Sequence, residues 1–339
     1  MKRIENCIKI AIKKFEPNLH GKIVLTEAAT GNYICTPVLA ALAGAKVYAY
    51  AKESKYGSLE VISDQISTIA KLFNIGTSIT IIQSLDQIDL SSVDILTNTG
   101  FLRPISKDII EKLKPECVIP LMWEPWEFRD SELDIDACAK KGIKVYGTNE
   151  SDPRLKTMDY IGFIALYFLL KEKRTPFSSS VLVVGCEKFN DAIIKTLTNN
   201  GYKTTSIISK NCNALEVSQY DSIIIAEYEY PLLIISNNEK ALIKCNELNE
   251  NHLIIHIAGN VSIENVKAKC YPDVPAAFKY MSYTTDYIDP SAVIDLHCAG
   301  LKVAEGMIAA NMKSLNSSSY KLFMETNYPA LAFDNKKYW

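Results

Sequence analysis

Short apolar runs alternate with amphipathic segments along nearly the whole chain. Apolar residues at three- and four-residue spacing predict helices, which include an amphipathic opening helix over 1–15 and later helices over 38–45 and 105–113. The apolar runs between the helices are short and predict strands over 22–29, 46–52, 78–84, 93–100, 117–123 and 143–149. This alternation is typical of a parallel sheet covered by helices on both faces.

A second series of the same kind follows a long apolar segment. Residues 155–171 predict a buried helix, and Thr175-Pro176 with the serines at 178–180 predict a linker after it. Beyond the linker the pattern predicts strands over 180–185, 203–209, 221–228, 252–259 and 291–297, and helices over 190–201 and 300–313.

We therefore expect an α/β protein of two doubly wound domains, Rossmann-like or flavodoxin-like, joined by a long buried interdomain helix. The expected substrate (catalytic) domain comprises 1–150 and is completed by 300–339. The interdomain helix lies within 151–174, and a nucleotide-binding-like Rossmann domain comprises 175–299. A length of 339 residues agrees with two domains rather than one.

The charge balance limits the classes of partner. The chain has 37 Lys and Arg against 39 Asp and Glu, a formal net charge of −2. Nucleic-acid binding needs a concentrated basic surface, so we expect no nucleic-acid partner. No apolar run reaches the roughly 18 residues of a membrane span. Glu5 and several lysines interrupt the opening helix, which is unlike a signal peptide. We expect a cytoplasmic protein without a membrane partner.

Cysteine and histidine spacing gives no support for a metal site or a disulfide framework. Nine cysteines are spread over the chain without a CxxC or CxC pair, and the four histidines show no HExxH-like spacing. We expect reduced, buried thiols and no bound metal.

Several motifs together resemble the D-2-hydroxyacid dehydrogenase (formate/glycerate dehydrogenase-like) family. They are VDILTNTGFLRPISKDIIEKLKPECVIPLMW, LDIDACAKKGIKVYGTNE, MDYIGFIALYFLL, LIIHIAGNVSIENV and AVIDLHCAGLKVAEGM. The resemblance covers most of residues 93–313 and implies two doubly wound domains. It also implies an NAD(P)-dependent oxidoreductase acting on a small hydroxy or amino acid-like metabolite.

The cofactor motif that the resemblance implies is degenerate in this chain. Of the family's Gly-x-Gly-x-x-Gly turn only Gly185 is kept; Glu187 brings a carboxylate to the phosphate position, and Lys188 offers partial compensation. The next strand ends in Ser209-Lys210 instead of an acid, which favours NADP over NAD. Ala258 and Gly259 stand where the family has Arg-Gly. A plain strand–helix turn without a nucleotide is the alternative interpretation.

The family's chemistry uses an arginine for the substrate carboxylate, a histidine as acid and base, and a carboxylate that orients the histidine. His297, in His-Cys-Ala-Gly, matches the histidine and is predicted to end a strand. Ala258 replaces the arginine, and Asp273 is the only acid near the expected glutamate. A non-catalytic His297 is the alternative.

The first domain offers a candidate substrate site of its own. Residues 26–33 join a strand to a helix through small residues whose amides suit an anion. Arg103, after the Thr99-Gly100 loop, is predicted to replace the missing arginine. In WEPWEFR, Trp123, Glu124 and Trp126 are predicted to stack on a ligand and accept its hydroxyl or amine protons.

Three functions stay open at this point. One is the oxidoreductase of this family, with a small-molecule substrate and NADP or NAD. A second is a catalytically inactive relative that serves as a metabolite-binding module or partner subunit. A third is a lyase or hydrolase. By analogy with the fold, a homodimer is expected.

Overall fold

The computed structural model describes residues 1–264 and 266–332. The helices are α1 (Lys2–Phe15), α2 (Cys35–Leu42), α3 (Leu59–Leu72), α4 (Lys107–Lys112), α5 (Ile135–Lys141), α6 (Thr157–Lys171), α7 (Glu187–Asn199), α8 (Ser291–Met312) and α9 (Ser317–Asn327). The strands are β1 (Ile23–Ala28), β2 (Lys46–Ala51), β3 (Ile79–Ile82), β4 (Ile95–Leu96), β5 (Val118–Pro120), β6 (Lys144–Thr148), β7 (Ser180–Gly185), β8 (Lys203–Ile208), β9 (Ser222–Ala226), β10 (Leu233–Ser236), β11 (Ile243–Lys244), β12 (Leu253–Ala258), β13 (Asn260–Val261), β14 (Lys269–Tyr271) and β15 (Ala330–Leu331).

The chain divides into two compact units. The first contains residues 1–155 and the described residues from Pro290 onward, and the second contains Lys156–Asp289. The predicted boundary between 299 and 300 falls inside α8, a single helix that belongs to the first unit. The last predicted stretch of the first domain, 333–339, lies outside the described residues.

The first unit is built on a seven-stranded sheet in the order β15-β6-β5-β4-β1-β2-β3. All neighbouring strands pair in parallel except β15, which pairs antiparallel with β6. The chain adds β2 and β3 on one side of β1 and then β4 to β6 on the other. The strand order therefore reverses between β1 and β4, where doubly wound sheets place their ligands.

Alternate residues of these strands enter two separate cores. Val24, Ile95 and Val118 pack with α1, α2 and α8 on one face. Their neighbours Leu25 and Leu96 pack on the other face, in the core that also holds residues from α4 and α5. Because both faces are buried, the strands read as continuous apolar runs in the sequence. The predicted two-faced parallel sheet is confirmed.

The second unit has a five-stranded parallel sheet in the order β14-β12-β9-β7-β8, and a small sheet β11-β10-β13. Its strand order reverses between β7 and β9. Within this unit α6 packs closely on α7, since a Cβ atom at Gly162 would lie 2.1 Å from Thr196 Oγ1. The α/β class and its two parallel sheets are as predicted; the role of α6 as a connection between domains stays a prediction.

One predicted element is wrong. The strand predicted over 291–297 is instead the first two turns of α8. This helix is buried on most sides, from Ala292 through Met307, so its sequence lacks the polar stripe that identifies a surface helix. A short apolar run of this kind does not distinguish a buried helix from a strand. The sequence pattern does not predict the short strands β10, β11, β13, β14 and β15, because two to four pairing residues leave little pattern to detect.

Candidate functional site

Three threonine hydroxyls meet where the first unit's strand order reverses. Thr26 lies near the end of β1, and Thr97 and Thr99 follow β4. Thr97 Oγ1 donates to Thr26 Oγ1 at 2.7 Å and lies 2.9 Å from Thr99 Oγ1. All three side chains are buried. Thr99 Oγ1 also accepts the Glu27 backbone N–H at 3.3 Å, so the three hydroxyls form a buried chain of hydrogen bonds between β1 and the loop after β4.

The carboxyl group of Glu27, the residue after Thr26 in β1, contacts the loop that follows β4. Its Oε1 accepts the Phe101 N–H at 3.0 Å, and a Cβ atom at Gly100 would lie only 1.7 Å from that oxygen. Gly100 therefore provides the space for the carboxyl group. Burial raises the pKa of Glu27 above its ordinary value, while the Phe101 N–H and the positive charge of Arg103 oppose the rise.

Arg103 lies in a cluster with a second arginine, a glutamate and a tryptophan. Its guanidinium lies 5.1 Å from the centroid of a Trp123 ring. Glu132 accepts from Arg103 Nη1 and from Arg129 Nη1, each at 2.8 Å. The structure thus brings together the predicted site residues Arg103 and Trp123, and adds Glu132, which no sequence motif indicated.

A group of glutamates follows β5 and β6. Glu124 is buried and accepts the Trp126 indole N–H at 3.1 Å and the Glu150 backbone N–H at 3.0 Å. Part of the Glu127 side chain reaches solvent, yet loss of water around its carboxyl group raises its pKa well above the ordinary value. Repulsion by Glu150 and a hydrogen bond between these two carboxyl groups raise it further, while Arg129 opposes the rise. The neutral form of Glu127 is therefore favoured beside Glu150.

The raised pKa of Glu127 makes stability depend on pH. A carboxyl group with a raised folded-state pKa adds stability below its unfolded pKa, and that contribution is lost as pH rises through the folded pKa. We expect Glu127→Gln to stabilise the protein more at pH 8 than at pH 5, by roughly 1 kcal/mol, because it removes a charge that burial and Glu150 disfavour. Urea unfolding at both pH values measures this. Glu53→Gln, an exposed site, is the control; equal responses of the two variants would contradict the raised pKa of Glu127.

His297 lies inside α8 rather than at a strand end. Its side chain is 4% exposed, and its Nδ1 lies 2.6 Å from Thr36 Oγ1 in the first turn of α2. The Tyr33 ring lies 5.9 Å away. Its predicted catalytic role rests on a position at the end of a strand, and that position is wrong. The side chain instead contacts α2, the helix that follows β1. Its role in proton transfer stays a prediction.

The burial of His297 gives a stability prediction. We expect His297→Ala to lower the free energy of unfolding by about 2 kcal/mol, because it leaves a cavity and a buried Thr36 hydroxyl without its partner. Thermal or urea unfolding measures the loss, and His20→Ala, at an exposed position, should change stability by less than about 0.5 kcal/mol. A His297→Ala variant as stable as the wild type would contradict this structural role.

The predicted cofactor residues lie at the carboxyl edge of the second unit's sheet. Gly185 ends β7, and a Cβ atom there would lie 2.1 Å from the Ala226 carbonyl oxygen. Asn190, at the third glycine position, is buried and donates to Ser206 Oγ and the Ile207 carbonyl. Gly185 is therefore needed for strand packing, while the other two glycine positions of the motif carry side chains.

The remaining cofactor residues do not converge on an open phosphate site. Ser209 is fully buried and donates to Glu227. Lys210 is exposed; its ammonium lies 3.4 Å from Tyr230 Oη and 5.3 Å from that ring's centroid. Ala258 is buried at the end of β12, and Gly259 has φ +139° beside Glu227. Lys188 lies in the first turn of α7, next to Glu187.

Within residues 1–264 and 266–332, no group of three or more His, Cys, Asp or Glu side chains is arranged to hold a metal ion. All nine cysteines lie in the described part of the chain, and none of them forms a disulfide. No helix of the described residues is long and apolar enough to cross a membrane.

Comparison with known proteins finds solved structures that are similar to this chain. No protein-family model and no curated protein matches the chain. A dipicolinate synthase polypeptide from Bacillus halodurans superposes with a TM-score of 0.56 at 14% identity, over 85% of this chain and 99% of that one. The corresponding dipicolinate synthase polypeptide from Bacillus subtilis gives 0.53 at 12%, over 87% and 99%.

A putative D-3-phosphoglycerate dehydrogenase from Ralstonia solanacearum gives a TM-score of 0.49 at 11% identity, over 88% of this chain and 96% of that one. At such identities, the two higher-scoring structures establish a shared fold. The resemblance predicted from the sequence is thereby confirmed at the level of the fold.

Proposed function

We propose that this chain binds a small metabolite that carries a carboxylate together with an amine or hydroxyl group, at the carboxyl edge of the first unit's sheet. The observation that carries the proposal is the meeting of Glu27, three buried threonine hydroxyls and the charge of Arg103 where the strand order reverses. Polar groups that converge at this position of a doubly wound sheet are typical of a ligand site.

In this proposal Arg103 and the Thr99-Gly100 loop hold the ligand carboxylate. Arg103 Nε is buried and makes no hydrogen bond within the described residues, so this donor remains for a ligand. Trp123 lies against the guanidinium and limits its orientations. Glu124 and Trp126, joined by their hydrogen bond, are proposed to contact the amine or hydroxyl end.

The fold family implies a dinucleotide in the second unit, and the residues there do not fit one. Glu187 occupies the second glycine position, Asn190 fills the third, and the buried Glu227 lies at the strand reversal. Carboxylates repel a pyrophosphate, and side chains at the glycine positions prevent the close approach of backbone amides. We therefore propose a metabolite-binding protein as the first candidate function and an oxidoreductase as the second.

The oxidoreductase is the second candidate, because the motifs over most of residues 93–313 resemble the D-2-hydroxyacid dehydrogenase family. In that case NADP is preferred to NAD, and His297 is the proposed proton carrier. A cytoplasmic location is part of the proposal for both candidates, since none of the nine cysteines forms a disulfide. The homodimer stays a prediction.

Calorimetry with a panel of small hydroxy, amino and dicarboxylic acids, dipicolinate included, tests the ligand class. We expect Arg103→Ala to weaken binding at least about tenfold, which is about 1.4 kcal/mol. Arg154→Ala is the matched control, because Arg154 also pairs with a carboxylate (Asp152) and lies over a ring (Phe15). Equal affinities of the two variants, or no binding by the wild type, would contradict the proposal. NADH or NADPH oxidation in the presence of a bound acid would instead establish the second candidate.

A further inference from the structure

In the second unit one side chain spans the position where doubly wound sheets bind nucleotides. Strand β7 lies between β8 and β9, and Gly185 at its end pairs with Ile208 on one side and Ala226 on the other. The first residue after β8 is Ser209, and the first residue after β9 is Glu227. The hydrogen bond from Ser209 to Glu227 therefore crosses the carboxyl end of β7, over the start of the phosphate-binding turn.

Both carboxylate oxygens of Glu227 are bound by donors of this unit. Oε2 accepts the Ser209 hydroxyl, and Oε1 accepts the backbone N–H groups of Glu229 at 2.7 Å and Tyr230 at 2.9 Å. The side chain has no solvent exposure. Two backbone N–H groups and a hydroxyl around one anion are the donors that a phosphate group would use.

The rest of this edge is also filled by the chain. The Cys186 N–H, which opens the turn, donates to the Ala226 carbonyl at 3.2 Å. The Phe189 ring in the first turn of α7 and the Tyr228 ring in the loop after β9, both buried, lie 4.4 Å apart between centroids. Burial raises the pKa of the Cys186 thiol to about 12, which keeps it neutral. Glu187 and Glu229 add negative charge near Lys210.

We propose that the nucleotide position of the second unit is an anion site occupied by the protein's own Glu227. The carboxylate takes the donors that a pyrophosphate would need, joins β8 to β9 across β7, and keeps the unit closed to NAD and NADP. The second unit then serves as a structural module. This inference does not depend on the ligand proposed for the first unit.

Chemical rescue of Glu227→Ala tests the built-in anion. The truncation leaves three donors without an acceptor in a buried space, so we expect a loss of several degrees in Tm relative to the wild type. Sodium formate, a carboxylate small enough for that space, should restore a large part of the loss, whereas sodium chloride at the same ionic strength should not. The wild type and Glu229→Ala, an exposed neighbour, should not respond to formate. A Glu227→Ala variant that is as stable as Glu229→Ala, or that ignores formate, would overturn the proposal.

Titration of the wild type with NADH and NADPH is a second test, which does not require Glu227→Ala to fold. We expect no saturable binding of NADH or NADPH at millimolar concentration, measured by nicotinamide fluorescence and by calorimetry. Saturable binding of either cofactor to the wild type would overturn the proposal whatever the variants do. Glu227→Gln retains a carbonyl oxygen but not the charge, and should lose stability without a response to formate, because its amide still fills the space.

Discussion

Gly185→Ala is expected to lower the free energy of unfolding by about 3 kcal/mol. The new Cβ atom would lie 2.1 Å from the carbonyl oxygen and 2.4 Å from the carbonyl carbon of Ala226. Those atoms belong to the backbone of the neighbouring parallel strand, which pairs with β7 over five residues. The collision cannot be relieved by a side-chain rotation, so the two strands must separate locally. Urea unfolding followed by circular dichroism measures the loss.

Gly76→Ala is the control for this substitution. No atom lies within 4 Å of a Cβ built at Gly76, and its φ is not in the left-handed region. Its stability should stay within about 0.5 kcal/mol of the wild type. If Gly185→Ala is equally well tolerated, then the first glycine of the degenerate motif is not required for packing, and its retention would point back to a nucleotide.

Gly100→Ala is expected to cost about 2 kcal/mol or more and to weaken ligand binding in the first unit. Gly100 has φ +37°, which disfavours a residue with a side chain, and the added Cβ atom would displace the Glu27 carboxyl group from the Phe101 N–H. Unfolding experiments measure the first effect. The calorimetric ligand panel measures the second.

Two variants separate backbone strain from the collision. Gly21→Ala has a comparable positive φ of +71° and no neighbouring atom within 4 Å, so it should show the strain alone. In a Glu27→Ala background, the stability cost of Gly100→Ala should fall to about that of Gly21→Ala, because the carboxyl group no longer occupies the space of the new Cβ atom. An undiminished cost in that background would show that Glu27 does not rest on Gly100.

The sequence by itself determined the α/β architecture and proposed candidate residues for a site in the first unit. Strands buried on both faces must be apolar along their length, so β1, β7, β9 and β12 stand out as short runs between amphipathic helices. The loops that follow such strands lie at one edge of a parallel sheet. For that reason, the sequence proposes Thr99, Gly100, Arg103, Trp123 and Trp126 as neighbours, and the structure brings Arg103 and Trp123 together.

Only the tertiary structure decided how the charged groups are used. Each of Glu27, Glu127 and Glu227 has at least one partner from another strand or loop: Phe101 for Glu27, Glu150 for Glu127 and Ser209 for Glu227. No local pattern distinguishes a buried carboxylate from an exposed one. The sequence pattern places His297 in a strand because a helix buried on most sides has no polar stripe. The local sequence shows which residues are apolar and must be buried. Which donor meets which acceptor depends on strand order and register, and these are fixed by contacts between segments far apart in the chain.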